Sequence, residues 1–233
     1  EVAVHFGVGR RVSMGVQDTP LKLTSTMVFE FETTDNYAFI FRLYNIAKLF
    51  VQYLCYRRNI VFDAVELSAL MDNGKYHTCA KMHVLDSLSQ CEAKPIKDGR
   101  YIKQQYIEGY EGKILSDIAS DTIYTRHLPD TFEAGKHIDA ARFVMITAAF
   151  EWEFRRIFPE GVKKKEAKIK AEEQAKQVLQ ELIDSSKGEL KSIYKYMQKN
   201  IGSSPLSGKI TFVGKNLVEI IDMFGKYQYS LNG

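Results

Sequence analysis

Cysteine is scarce in this chain. Its 233 residues hold three, Cys55, Cys79 and Cys91. An odd number without a C-x-x-C pair excludes a disulfide scaffold and a zinc ribbon, and it fits a reducing, cytoplasmic setting. Long hydrophobic runs are also lacking. The longest nearly apolar stretch, Phe143–Phe150, falls far short of the ~20 residues a membrane-spanning helix needs, so no membrane partner is expected. Neither sign of charge dominates: 32 basic against 29 acidic side chains leave a net +3. That balance permits a nucleic-acid partner without demanding one. The nucleotide and hydrolase signatures G-x-x-x-x-G-K-[ST], G-x-G-x-x-G, H-E-x-x-H and G-x-S-x-G are missing, and Gly7-Val8-Gly9-Arg10 is too short for a phosphate loop. No basic-then-apolar leader is visible. Glu1 and Asn232-Gly233 read as cut ends. Internal repeats and low-complexity tracts are not seen.

What the chain does have is apolar and aromatic content, 45% and 12%. That suffices for a sizeable core in one large domain or two ordinary ones. Residues 1–34 alternate in the manner of strands (Val2, Val4, Phe6; Leu21, Leu23, Val28), with Gly7, Gly9, Gly15 and Pro20 at turns. Thr34-Asp35-Asn36 offers an N-cap to a helix through Phe39, Leu43, Ile46, Phe50 and Leu54, ending near Arg57. Two strands, Ile60–Met71 and Lys75–Leu85, flank Asp72-Asn73-Gly74, the clearest hairpin signal present, because Asn-Gly accepts positive φ. Residues 86–110, with Pro95 and Gly99, read as a loop. A short helix over Gly112–Ser120 and an extended connector to Pro129 follow.

The most strongly patterned stretch is His137–Phe158. Ile138, Ala141, Met145, Ala148 and Trp152 trace one helical row, and Phe143, Ile146, Phe150, Phe154 and Ile157 trace its neighbour. So wide an apolar face predicts a central helix packed on more than one side, spanning roughly 33 Å. Pro159 and Gly161 end it. Beyond lie a charged helix over 162–186 with a thin apolar stripe, a helix over Glu189–Ile201 with Leu190, Ile193, Met197 and Ile201 inward, and a last helix. Ser207 is expected to cap the last one, which carries Ile210, Val213, Leu217, Ile220, Ile221 and Phe224. The fold class expected is α+β: a β-rich domain over residues 1–130 and an all-α bundle over 131–233.

Four lysines form the sharpest surface feature. Lys187, Lys191, Lys195 and Lys199, spaced by four, make a ladder of about 18 Å along one helix. Such a row can follow a phosphate backbone, with Tyr194 and Tyr196 beside it for stacking; it can equally be a plain solvated face. Lys163-Lys164-Lys165 carries the same two readings. Glu151 stands inside the apolar run of the central helix, where a carboxylate needs a partner, either Arg155 one turn on or a basic residue from another helix. His77, Cys79 and His83 share a strand face with Lys81, but no fourth ligand stands at a useful spacing, so packing roles are expected and no metal. Arg126 and His127, adjacent in an extended connector, point apart. Asp130, Glu133 and Asp139 read as helix caps.

A helix such as F-R-L-Y-N-I-A-K-L-F-V-Q-Y-L in a β-rich first half, followed by R-F-V-M-I-T-A-A-F-E-W-E-F-R, resembles the ApeA-like branch of HEPN proteins. The resemblance implies a HEPN-like helical bundle that forms a homodimer. It also implies a metal-independent ribonuclease without a cofactor, in bacterial anti-phage defence or toxin systems, with a phage-derived trigger and the N-terminal domain as sensor. In that family an Arg followed four to six residues later by a His lets the RNA 2′-hydroxyl attack the adjacent phosphate. None of the arginines here has a histidine at that distance. The motif is therefore expected on a late helix beyond Gly233. The positions that match are Glu151 and, less directly, Arg142, in supporting roles. Lacking the motif, the chain also fits an inactive HEPN-like interaction or RNA-binding module.

Overall fold

In the computed structural model of the chain, residues 1–12, 21–62, 64–84, 101–219 and 222 are described. The class is mixed α+β. The expected turn residues Gly15 and Pro20, the strand end at Leu85, most of the expected 86–110 loop, Cys91, and Ile220, Ile221 and Phe224 lie outside the described residues. Two compact units, Glu1–Met145 and Ile146–Gly233, divide within one helix.

In the first unit, β1 (Ala3–Val12) pairs antiparallel with β2 (Leu21–Glu30), with Ala3 opposite Glu30 and Val12 opposite Leu21. α1 (Tyr37–Cys55) follows. Its first turn is closed as expected, for the Asn36 side chain accepts from the Phe39 N–H at 3.1 Å. It stops at Tyr56, which takes the left-handed conformation (φ 49) and returns its N–H to Gln52 and Tyr53. Phe50, 2% exposed, is the centre of the core. With Ile107, Leu115 and Ile118 it joins α1 to α2 (Glu111–Ala119), and Val4 and Met27 of the ribbon pack against them. Removing the Asn36 cap with Asn36→Ala is expected to cost about 1 kcal/mol, a few degrees in melting temperature. An unchanged melting curve would contradict that role.

The second strand pair is shorter than expected. β3 (Glu66–Leu70) and β4 (Tyr76–Lys81) replace the predicted Ile60–Met71 and Lys75–Leu85. Just ahead of the predicted first strand, the Arg58 and Asn59 N–H groups bond to the Pro129 and Asp130 carbonyls and so tie this stretch to the connector. The hairpin turn is a three-residue loop in which Gly74 alone takes positive φ (+73), and the Asn73 carboxamide accepts from the Lys75 N–H. Every β4 side chain is exposed, so His77, Cys79 and His83 do not pack inside as expected. Among the described residues no group of three His, Cys, Asp or Glu is placed to hold a metal. Cys55, in contrast, is buried, and burial pushes its thiol up despite the nearby Arg57 charge.

One exposed contact joins the two hairpins. The Tyr76 hydroxyl donates to Glu30 Oε1 at 2.6 Å, and His5 Nε2 lies 3.3 Å from Oε2. The Tyr76 bond first, then His5, holds the Glu30 carboxyl below its ordinary value. A lowered carboxyl contributes stability above its unfolded pKa and loses it as pH falls through the folded value, so this link weakens in acid. The same bond raises the Tyr76 phenol; that share is present below the unfolded phenol pKa and is lost as pH rises through the raised one. Tyr76→Phe is expected to return the Glu30 titration, followed by NMR, towards an ordinary glutamate. Were the Glu30 midpoint to stay put, Tyr76 would not be the cause.

A short helix the sequence reading missed, α3 (Phe132–Gly135), is capped by the Thr131 hydroxyl. The central helix, α4 (Ala140–Ile157), starts after Asp139, whose carboxylate accepts from the Arg142 N–H at 2.7 Å. It is not sheathed on several sides as predicted. Phe154 is 4% exposed, whereas Met145 (41%) and Trp152 (49%) of the first row, and Phe143 (60%) and Ile157 (49%) of the second, face solvent.

The second unit is helical among its described residues. α5 (Glu166–Ser185) and α6 (Gly188–Asn200) form an αα-hairpin, in which Gln198 reaches the Lys176 carbonyl and Gln180. Gly188 turns the chain at φ +63. α7 (Leu206–Asn216) begins one residue ahead of Ser207, with Pro205 at the N-cap, so Ser207 lies inside the helix and does not cap it. Phe212 of α7 packs edge-on against Phe154 and Phe158.

Candidate nucleic-acid interface

The lysine ladder sits on α6. Lys187 is its N-cap residue, Lys187, Lys195 and Lys199 are exposed, and Lys191 is half-buried. Among the described residues none of the four has a carboxylate within ion-pairing distance. Tyr196, 70% exposed, stands beside the row, and Tyr194 is half-buried.

The inward lysines of this unit behave differently. Lys209 of α7 lies 2.5 Å from Glu151 Oε2 and over the Phe154 ring at 5.6 Å. Lys164 lies 2.8 Å from Glu172 and also donates to the Gly202 carbonyl. Both ammonium groups line a cleft of about 190 Å³ with Phe154, Phe158 and Arg155. Because each already holds a carboxylate, the cleft offers an incoming anion far less than the α6 row does. Of the Lys163-Lys164-Lys165 cluster, then, one member serves the fold, and Lys163 and Lys165 are exposed.

Glu151 therefore has the partner that its position demanded, and it comes from another helix. Arg155, the local candidate, is the weaker contact at 3.9 Å. Lys209 escaped the sequence reading, although a signal existed. It falls in the apolar row of α7 with Phe212 and Val213, as Glu151 falls in that of α4, and two opposite charges embedded in apolar rows ask for each other. Arg142 is committed elsewhere: its Nη1 donates to the carbonyls of Ala134 (3.0 Å), Gly135 (2.7 Å) and His137 (2.5 Å), closing the end of α3. Nine positions apart on one helix, Arg142 and Glu151 project from opposite faces, and they do not converge on one site. Arg126 and His127 also part: the His127 ring lies between Tyr56 and Tyr124, whereas Arg126 is exposed and gives its carbonyl to Arg58.

Gly202 explains how Lys164 is held. Its φ is +88, and a Cβ there would meet Glu172 Oε2 at 3.0 Å and Lys164 Nζ at 3.3 Å. Gly202→Ala is expected to cost about 1–2 kcal/mol from the left-handed backbone. Equal urea midpoints for the two proteins would contradict this.

Comparison with known protein families, with curated proteins and with solved structures finds no match to the chain.

Proposed function

We propose that this protein binds RNA through the lysine row of α6. A single observation carries the reading: among the described residues four cations on one helix lack carboxylate partners, in a unit whose inward-facing Lys164 and Lys209 both have them. Lysines about 6 Å apart along a helix suit successive backbone phosphates, and phosphate contacts dominate affinity for single strands whatever their sequence. Tyr196 supplies a ring on which a base can stack. Filter binding of the full chain to single-stranded RNA at rising salt tests it. Affinity is expected to fall log-linearly, by about 0.7 per phosphate contact, and binding indifferent to salt would remove the proposal.

A second reading adds cleavage. In it the protein is the HEPN-type, metal-independent ribonuclease that the resemblance implies: a cytoplasmic homodimer acting in anti-phage defence, set off by a phage-derived trigger, with its Arg–His motif supplied outside this span. The observation that favours it is Glu151, a carboxylate in the A-A-F-E-W-E-F segment held by a lysine of a later helix. Against it, Arg142 is spent on the carbonyls that end α3. Incubation of the natural full-length protein with total RNA in EDTA separates the two readings: fragments support the ribonuclease, and intact, bound RNA supports the binding module.

A further inference from the structure

We infer that the β3–β4 hairpin is a hinged arm, latched to the first ribbon at Glu30 and released when that carboxylate takes up a proton. Two strands with no third strand and no buried face supply little stability of their own. That is the situation of residues 66–81, where Leu67 alone is half-buried and every other residue is exposed. Among the described residues a single side-chain hydrogen bond leaves the arm, from the Tyr76 hydroxyl to Glu30 Oε1 at 2.6 Å. The contacts of Ser68 with Thr78, of Cys79 with the Leu67 carbonyl and of Lys81 with Glu66 all lie within it.

That bond sits where its leverage is greatest. Tyr76 stands opposite Leu70 beside the turn, and Met82 at the base is about 20 Å away along the strand. The base itself is fixed. The Phe62 ring lies edge-on to Tyr44 of α1 with centroids 5.8 Å apart, and the Arg58 and Asn59 N–H groups hold the connector. A tie at the tip therefore decides the position of everything between. Its strength depends on charge: a hydroxyl bonds roughly twice as strongly to a carboxylate as to a neutral acceptor, so proton uptake by Glu30 weakens it. The titratable groups facing Glu30 are Tyr76 from β4 and His5 from β1, whose Nε2 lies 3.3 Å from Oε2. A protonated His5 ring attracts the carboxylate and so delays release. It cannot replace the Tyr76 bond, because His5 belongs to the ribbon and not to the arm. Asp72 and Lys75, beside the turn, form no ion pair among the described residues. The arm lies in the first unit, and the inference stands whether or not the α6 row binds RNA.

Double electron–electron resonance on the full chain tests this, with nitroxides at Asp72→Cys on the tip of the arm and at Glu108→Cys just ahead of α2. Both positions are exposed. Cys79→Ser and Cys91→Ser remove competing thiols, and the buried Cys55 stays in place. A narrow distance distribution is expected at neutral pH. It should broaden as pH falls through the Glu30 titration, with helical circular dichroism retained. Tyr76→Phe should already be broad at neutral pH, and Glu30→Gln should match the acid form at every pH. If Glu30→Gln does not fold, Glu30→Asp, which keeps the charge but falls short of the hydroxyl, should be broad at neutral pH in its place. Should acid unfold the chain, Tyr76→Phe at neutral pH decides alone. A Tyr76→Phe distribution as narrow as that of the parent overturns the inference. So does a parent distribution that stays narrow once Glu30 is protonated, or acid broadening of Glu30→Gln beyond its neutral state, which assigns the motion to another group.

Discussion

Lys191→Glu/Lys195→Glu is expected to weaken binding to single-stranded RNA on the order of 100-fold at low salt. Each reversal removes one phosphate contact and sets a carboxylate where a phosphate would lie, so the effect exceeds that of neutralisation. Lys191→Ala/Lys195→Ala gives the cleaner readout: the slope of log affinity against log salt should fall by about 1.4, two contacts at 0.7 each. No ion pair is lost, because none of the four lysines is in one among the described residues, so any change in stability should come from the half-buried Lys191 stem alone. Lys170→Glu on the exposed part of α5 is the control for net charge. If it weakens RNA binding as much as the α6 reversals do, the effect belongs to overall charge and the row has no special part.

Much of the local structure was legible in the residues. Asn36 stands three residues ahead of Phe39 and caps α1 as such a residue should; the Asp72-Asn73-Gly74 turn appeared where its φ preference demanded; Asp139 starts α4. These features depend on neighbours in sequence, and the pattern carries that information. What failed depends on residues far apart. The strand expected to start at Ile60 starts only at Glu66, and the residues just ahead of it, Arg58 and Asn59, give their N–H groups to the connector at Pro129 and Asp130. For α6 the reading placed Leu190, Ile193, Met197 and Ile201 inward; of these Ile201 alone is half-buried, and it shares that side with Lys191, Tyr194 and Gln198, whereas Leu190, Ile193 and Met197 are exposed. An amphipathic pattern says that a helix has an apolar face, but not whether the same chain covers it. The first row of α4 makes the same point with Met145 and Trp152 in solvent. Of the candidate interface, the lysine spacing was legible, and the lack of carboxylate partners was not, since that required the positions of every acid nearby.

Phe154→Ala is expected to destabilise the second unit by about 3–5 kcal/mol, the largest effect of any single change considered for it. Phe154 is 4% exposed and lies against Phe150, Phe158 and Phe212, with ring centroids 6.0, 5.3 and 6.1 Å away. Truncation leaves a void among rings held by α4 and α7, which cannot collapse without separating the helices. It also removes the face over which Lys209 sits. Lys209→Met makes the informative comparison. It keeps the apolar stem and strands Glu151, whose side chain is 25% exposed, with only the 3.9 Å contact to Arg155. Partial access to water limits that cost to about 1–2 kcal/mol, below the figure for a fully buried broken pair. Urea denaturation read at a helix signal should therefore rank Phe154→Ala well below Lys209→Met in midpoint. The reverse order would mean that the Glu151–Lys209 pair, and not the ring cluster, holds α4 to α7. In that case Glu151 would be a structural anchor whose removal could not be used to test catalysis.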